Sequence, residues 1–130
     1  MIVDTSALIA ILRHEPEAAR FAEAIEAAEQ RRISAVSYVE AAAVIDRGGD
    51  PIARRRFDDL LEAAEIQVEP VSVSQARIAR EAYRDFGKGS GHKARLNFGD
   101  CFAYALAKER NESLLFKGKD YLHTDIASAT

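Results

Sequence analysis

Cysteine is nearly absent from this chain of 130 residues, in which Cys101 is the only one. A single cysteine excludes an intramolecular disulfide and a zinc site built from several cysteines. Long apolar runs are also missing, since none approaches the ~18 residues that a membrane-spanning helix needs. The first residues, Met1 to Asp4, lack the basic start and the cleavage site of a signal peptide. We therefore expect a cytoplasmic protein with no membrane segment.

Charge of one sign does not dominate, because 18 Lys and Arg stand against 21 Asp and Glu, for a formal net charge of −3. This balance excludes a disordered charged tail protein and argues against a generally sticky nucleic-acid binder, although a local basic site stays open. Apolar residues make up 48% of the chain, and no linker or internal repeat divides it. We expect a single domain over residues 1–130 with a sizeable core.

Short apolar strands alternate with amphipathic helices along the chain. Strands are predicted at 1–3, 32–34, 66–69 and 114–116, with a weak last one at 126–127, and helices near 8–12, 16–29, 37–45, 51–64, 74–86 and 98–110. This alternation predicts an α/β fold with a mostly parallel sheet. Because ligands of such sheets bind beyond the carboxyl ends of the strands, the polar residues that follow a strand are the ones of interest.

Four acidic residues occupy such positions or the starts of helices: Asp4, Glu40, Asp100 and Asp120. Each also has a purely structural explanation. Asp4 is a good helix N-cap, Glu40 stands three residues after Ser37 as in a capping box, Asp100 favours the dipole of a helix start, and Asp120 suits a turn.

The four acids are more informative together than alone. Three or four carboxylates that converge at one sheet edge repel one another unless a hard divalent cation lies between them. Mg²⁺ prefers oxygen ligands and binds phosphate oxygens, and a cation held in this way can activate water and neutralise a phosphodiester transition state. No pair of histidines has the spacing of a zinc site.

The second half of the chain carries a local excess of positive charge. From Arg84 to Lys119 there are 8 basic and 4 acidic residues, whereas from Met1 to Glu69 there are 8 basic and 14 acidic residues. Basic residues beside a carboxylate site are suited to hold a nucleic-acid backbone, although a solvated face explains them equally well. The candidate RNA-binding residues are Lys88, His92, Lys93, Arg95, Lys117 and Lys119.

Four segments, in order, resemble the motifs of PIN-domain nucleases, and most closely those of the VapC toxins, the ribonucleases of type II toxin–antitoxin pairs. They are Ile2–Leu8 (IVDTSAL), Ser37–Glu40 (SYVE), Leu96–Cys101 (LNFGDC) and Leu114–Tyr121 (LLFKGKDY). The resemblance implies a three-layer α/β/α domain and RNA cleavage that depends on Mg²⁺ or Mn²⁺ and leaves a 5′-phosphate and a 3′-hydroxyl. It also implies a cognate VapB antitoxin and a homodimer.

The resemblance identifies Asp4, Glu40, Asp100 and Asp120 as catalytic acids, with Asp4, Asp100 and Asp120 as metal ligands. Many relatives carry an acid or Asn two positions before Asp120, where this chain has Gly118, so Asp125 is an alternative fourth acid. Supporting hydrogen bonds to the ligand carboxylates are expected from Thr5, Ser6, Thr124 and Asp125.

Two other functions stay open on the same fold: an RNA-processing nuclease outside a toxin–antitoxin pair, and an inactive PIN-fold binding module. A phosphatase of the haloacid-dehalogenase type needs a second Asp two residues after the first, where this chain has Ser6. An antitoxin is expected to lie in a groove between the helices at Ala7–Leu12 and Ala41–Ile45, with an Arg among the carboxylates. The loop Gly87–Leu96 is the candidate for RNA specificity.

Overall fold

Four parallel strands form the central sheet of the computed structural model, which describes residues 1–130. They are β1 (Ile2–Val3), β2 (Arg32–Ser34), β3 (Gln67–Glu69) and β4 (Leu114–Leu115), arranged in the order β3-β2-β1-β4. In register, Ile2 of β1 lies between Arg32 of β2 and Leu114 of β4. The expected last strand is reduced to a single parallel bridge between Leu114 and Ser128.

Six α-helices connect and cover the strands. They are α1 (Thr5–Leu12), α2 (Ala18–Ala27), α3 (Ala35–Arg47), α4 (Pro51–Ala63), α5 (Val73–Phe86) and α6 (Asp100–Arg110), and a 3₁₀ turn follows at Asp120–His123. No helix is both long and apolar enough to cross a membrane.

Alternating residues of the strands face two separate cores, which gives the three layers. Ile2 and Leu114 pack with α5 and α6 on one face of the sheet. Val3 and Leu115 point to the other face and pack with α1 to α4. This is the period-2 pattern of a strand buried on both sides, and it confirms the α/β/α architecture with a parallel sheet.

The start of α3 differs from the sequence prediction in a way that concerns Glu40. The helix begins at Ala35, and Ser34 is its N-cap, with Ser34 Oγ accepting a hydrogen bond from Val36 N. Ser37 therefore lies inside the helix, fully buried, and the predicted capping box of Ser37 and Glu40 is wrong. Because Glu40 does not cap the start of α3, its position inside the helix has another explanation.

Candidate active site

Asp4 lies directly after β1 and is held on both of its carboxylate oxygens. Oδ2 accepts hydrogen bonds from Ser6 N at 3.0 Å and Ser6 Oγ at 2.6 Å, and Oδ1 accepts one from the Tyr121 hydroxyl at 2.8 Å. The Ser6 hydroxyl in turn accepts a hydrogen bond from Lys117 N at 2.9 Å. The residue is only 5% exposed, and burial of a carboxylate is tolerable because three donors surround it. Asp4 is thus the N-cap of α1, as its position in the sequence predicted, and its carboxylate also lies at the carboxyl edge of the sheet.

Glu40 reaches the same region from α3 because Gly99, just before α6, leaves room for it. A Cβ at Gly99 would lie 2.1 Å from Glu40 Oε2, which no structure accommodates without a shift. Gly99 has an ordinary helical φ of −64°, which any residue can adopt. Glycine is therefore needed here because it has no side chain, and not because of its backbone conformation. Burial raises the pKa of Glu40, the charge of Asp4 raises it further, and the Thr5 side chain opposes both.

Asp100 is the first residue of α6, and a pair of reciprocal hydrogen bonds joins it to Asn97. Asn97 N donates to Asp100 Oδ2 at 2.9 Å, and Asp100 N donates to Asn97 Oδ1 at 2.8 Å. Burial raises the pKa of Asp100 to about 6; the bond from Asn97 opposes the rise, and the charges of Asp4, Asp120 and Glu40 add to it. All four predicted acids therefore lie in one region, where the charges of Asp4, Glu40 and Asp120 affect the pKa of Asp100. We call Asp4, Glu40, Asp100 and Asp120 the acidic cluster.

The two candidates for the fourth acid have different surroundings. Asp120 opens the 3₁₀ turn, is exposed, and adds its charge to that felt by Asp100. Asp125 instead accepts hydrogen bonds from Lys108 Nζ and from the Tyr104 hydroxyl, each at 2.7 Å, and these two bonds lower its pKa. Lys108 and Tyr104, both on α6, occupy the oxygens of Asp125, and Lys108 neutralises its charge. The geometry therefore favours Asp120 over Asp125 as the fourth acid of the site.

The acidic cluster supplies the ligand chemistry of a hard cation, but its side chains do not converge on one point. No three His, Cys, Asp or Glu side chains stand close enough together to hold a metal ion. Instead, the carboxylate oxygens of Asp4 accept hydrogen bonds from Tyr121 and Ser6, and an oxygen of Asp100 accepts one from Asn97 N. The donor set of four carboxylates, with a raised pKa at Glu40 and Asp100, fits Mg²⁺ or Mn²⁺ in charge and in ligand type.

Tyr121 belongs to this site although no role was predicted for it from the sequence. Its hydroxyl lies 2.8 Å from Asp4 Oδ1 and 3.2 Å from the Asp100 carbonyl oxygen, and the residue is 3% exposed. Burial, together with the charges of Asp4 and Asp100, raises the pKa of Tyr121 well above its usual value, so the hydroxyl stays protonated. Thr124 Oγ1 donates to the Tyr121 carbonyl at 2.7 Å, and Thr124 thus supports the turn and not a carboxylate.

Thr5 makes a backbone contact in addition to its effect on the pKa of Glu40. Its Oγ1 donates to the Ser37 carbonyl oxygen at 3.0 Å and so ties the start of α1 to α3. Of the four residues expected in a supporting role, two act on acids of the cluster: Ser6 donates to Asp4, and the Thr5 side chain lowers the pKa of Glu40.

The predicted RNA-binding residues fall into two groups. Lys117 forms ion pairs with Glu15 at 2.6 Å and Glu17 at 3.4 Å, and His92 Nδ1 accepts a hydrogen bond from Ala94 N at 3.0 Å. These two side chains thus have structural partners within the chain. The other four are exposed and form no ion pair: Lys88, Lys93, Arg95 and Lys119.

Comparison with known proteins identifies the family of this chain. The family model of the PIN domain matches residues 1–127. Ribonuclease VapC28 of Mycobacterium tuberculosis is 57% identical over 129 residues, which cover 99% of this chain and 97% of that protein. The chain therefore belongs to the PIN-domain family, within which its curated relatives are VapC ribonucleases.

Solved structures show the same fold at much lower sequence identity. The crystal structure of Mycobacterium tuberculosis VapC20, described as a sarcin-ricin loop cleaving toxin, has a TM-score of 0.75 at 15% identity and covers 97% of this chain and 95% of its own. A toxin–antitoxin complex from Klebsiella pneumoniae has a TM-score of 0.71 at 17% identity and covers 92% of this chain and 88% of its own. These two likenesses confirm the fold predicted from the sequence.

Proposed function

We propose that this chain is a VapC-type endoribonuclease toxin that cleaves RNA phosphodiester bonds at the acidic cluster. The observation that carries the proposal is the placement of Asp4, Asp100 and Asp120 beside Glu40 at the carboxyl edge of the sheet, where burial and the charges of the other three acids raise the pKa of Asp100, because a divalent cation relieves such repulsion. The membership in the VapC branch, with 57% identity over nearly the whole chain, supports the same activity. We take the 130 residues to act as one domain.

The residues of the cluster have separate roles in this proposal. Asp4, Asp100 and Asp120 hold a Mg²⁺ or Mn²⁺ ion, directly or through water. When bound, such an ion neutralises phosphate charge and makes a nucleophile of water near neutral pH. Glu40, placed against Gly99, accepts a hydrogen bond from the attacking water and orients it toward phosphorus. Because no three acids converge as the side chains stand, ion binding requires a side-chain adjustment within the cluster.

RNA is held next to the cluster by the exposed cations. Lys88, Lys93 and Arg95 lie on the loop that the Gly87–Leu96 bridge closes, and Lys119 directly precedes Asp120. Contacts of this kind bind phosphates without reading sequence.

The central experiment is cleavage of total cellular RNA by the purified protein, freed of any antitoxin, with Mg²⁺, with Mn²⁺ and with EDTA. Asp4→Ala is the test variant, and Asp85→Ala, which removes an exposed acid paired only with Arg84 on α5, is the matched control. We expect metal-dependent cleavage by the wild type and the control and none by Asp4→Ala. A folded wild type that binds metal but cleaves no RNA would point instead to an inactive binding module.

The choice between Asp120 and Asp125 is tested in the same assay. Asp120→Asn is expected to lose most cleavage, whereas Asp125→Asn is expected to keep it, because Asp125 is occupied by Lys108 and Tyr104. The reverse result would assign the fourth acid to Asp125.

We further propose that a VapB-type antitoxin neutralises the enzyme, which the toxin–antitoxin complex among the structural neighbours supports. We propose that the antitoxin binds at two adjoining surface hollows. One, about 260 Å³, lies at the C-terminal ends of α1 and α3 and reaches α4; the other, about 510 Å³, lies between α1, α2 and α4. Leu12 and Arg56 line both, so the two hollows are neighbours, and we call them together the groove.

A bulky residue in this groove should prevent complex formation. Ala22 lines it and is exposed, so Ala22→Arg is expected to abolish co-purification with the antitoxin encoded beside this gene while RNA cleavage persists. Ala43→Arg, at an exposed position of α3 outside the groove, is the control. Equal capture of both variants would place the antitoxin elsewhere.

A homodimer remains a prediction, for which we propose the face between α5 and α6. Tyr83 and Phe98 are 41% and 67% exposed there, and with Phe102 they line an apolar cleft of about 240 Å³. Sedimentation of the wild type and of Phe98→Ser tests this assignment: the wild type should be dimeric and the variant monomeric. A monomeric wild type would refute it.

A further inference from the structure

The Tyr121 hydroxyl makes the single contact from the C-terminal turn to the carboxylate of Asp4. Its donor–acceptor distance to Asp4 Oδ1 is 2.8 Å, and the bond joins residues 117 positions apart. The ring packs against Phe116 at a centroid distance of 5.0 Å, and the Tyr121 carbonyl accepts the bond from Thr124. The hydroxyl is therefore fixed in place by the turn and by the core below it.

The hydrogen bonds to Asp4 leave it a defined number of free acceptor positions. A carboxylate offers about four lone-pair positions on its two oxygens. Ser6 N and Ser6 Oγ use the two on Oδ2, and Tyr121 uses one of the two on Oδ1. With both oxygens anchored, the carboxylate cannot rotate about its Cβ–Cγ bond without breaking bonds on both sides, and one position on Oδ1 remains for a ligand.

We propose that Tyr121 is a positioning residue, which holds the carboxylate of Asp4 so that its one unoccupied oxygen position faces a divalent cation. The inference rests on the proposed function, in which Asp4 is a metal ligand. Tyr121 does not touch substrate or metal, and it acts through Asp4. Hydrogen-bond partners of ligand residues typically change metal affinity or activity 10- to 100-fold when they are removed.

The test measures Mn²⁺ affinity directly, by titration of the metal-free protein, for the wild type, Tyr121→Phe, Tyr104→Phe and Asp4→Ala. Tyr104→Phe is a matched control, because it removes the hydroxyl of another buried tyrosine that donates to a carboxylate, that of Asp125, at 2.7 Å. We expect Tyr121→Phe to bind Mn²⁺ about 10- to 100-fold more weakly and Tyr104→Phe to bind it like the wild type.

Cleavage kinetics separate positioning from a structural role. In Tyr121→Phe, the Mn²⁺ concentration for half-maximal cleavage should rise by the same factor as the dissociation constant, and kcat should recover at saturating Mn²⁺, with KM for RNA unchanged. Unchanged or tighter Mn²⁺ binding, or a kcat that saturating Mn²⁺ does not restore, would overturn the role of Tyr121. Asp4→Ala distinguishes this result from a failure of the proposed function, since Mn²⁺ binding by Asp4→Ala that equals the wild type would remove Asp4 from the metal site altogether.

A measurement on the unaltered protein covers the case in which Tyr121→Phe does not fold. A buried, hydrogen-bonded phenol proton exchanges slowly enough to be followed by nuclear magnetic resonance. Addition of Mg²⁺ should shift the Tyr121 hydroxyl proton and leave that of Tyr104 in place. A Tyr121 proton that does not respond to Mg²⁺ would contradict the proposal.

Discussion

The ionised side chain of Asp100 should destabilise the metal-free fold, so Asp100→Asn is expected to be more stable than the wild type at neutral pH. Burial and the charges around it raise the pKa of Asp100 from 3.8 to about 6. At 1.36 kcal/mol per pH unit, this difference corresponds to about 3 kcal/mol. Partial exposure to solvent lowers the effect to about 1–2 kcal/mol. An Asn keeps an oxygen that can accept the bond from Asn97 N, so the helix start is preserved.

The pH dependence of this gain follows from proton binding. Between pH 3.8 and about 6 the folded state holds a proton that the unfolded state has released, so stability falls as the pH rises through this window. The full penalty is present above about pH 6, and at pH 4 only about a fifth of it remains. Asp100→Asn should therefore gain stability at pH 7.5 and almost none at pH 4.

Thermal and urea unfolding in EDTA at the two pH values measure this effect. Unfolding of 130 residues has an entropy of about 0.27 kcal/mol/K, so a gain of 1–2 kcal/mol raises Tm by roughly 4–7 °C. Asp85→Asn, at an exposed ion pair on α5, is the control and should show no such gain. A variant Asp100→Asn that is no more stable at pH 7.5, or equally stabilised at pH 4, would refute the burial and crowding of an ionised Asp100 as the cause.

Three further changes test other parts of the molecule. Gly99→Ala should displace Glu40, because the added Cβ would lie 2.1 Å from Oε2, and cleavage measured at saturating metal should fall at least tenfold; wild-type activity would show that Glu40 can move freely. Glu112→Ala should lower the free energy of unfolding in urea by about 1.5–3 kcal/mol, since it removes the shared partner of the nearly buried Arg32 and of the N-terminal amine and leaves Glu69 as the only acidic partner of Arg32; a loss below about 0.5 kcal/mol would mean that water replaces the partner. The Cys101 thiol should resist alkylation at pH 8 until the protein is unfolded, because burial raises its pKa to about 12; rapid modification of the native protein, followed by mass spectrometry, would contradict this.

The sequence predicted the positions of Asp4 and Asp100 well because local rules determine them. Asp4 follows a strand of apolar residues, and Asp100 stands at a helix start next to Asn97, so both belong to the carboxyl edge of a parallel sheet. Glu40 was grouped with the other acids by its predicted place near a helix start and by the resemblance. Local spacing suggested that it caps a helix with Ser37, but the helix begins earlier, and Gly99, 59 positions later, makes room for its carboxylate.

Pairings between distant residues were not accessible from the sequence. Tyr121 stood in the last motif without a role, because its partner Asp4 lies at the other end of the chain. For the same reason Lys117 was counted as free to bind RNA, although tertiary structure pairs it with Glu15. The choice between Asp120 and Asp125 likewise depends on Lys108, whose distance from either acid is set by the packing of α6.

Stability and cation binding are linked at the acidic cluster through one repulsion. Burial raises the pKa of Asp100 most, and the charges of Asp4, Asp120 and Glu40, which raise it further, also raise the free energy of the empty site. Any positive group that enters the cluster relieves this repulsion, whether it is Mg²⁺ or the guanidinium of an antitoxin arginine. Both should therefore raise Tm, lower the pKa of Asp100 and compete with each other, because a ligand stabilises the state that binds it by an amount that grows with the logarithm of its concentration over its Kd. On this account an antitoxin arginine inhibits by replacing the metal as the counter-charge, so Mg²⁺ and the antitoxin should show mutually reduced affinities.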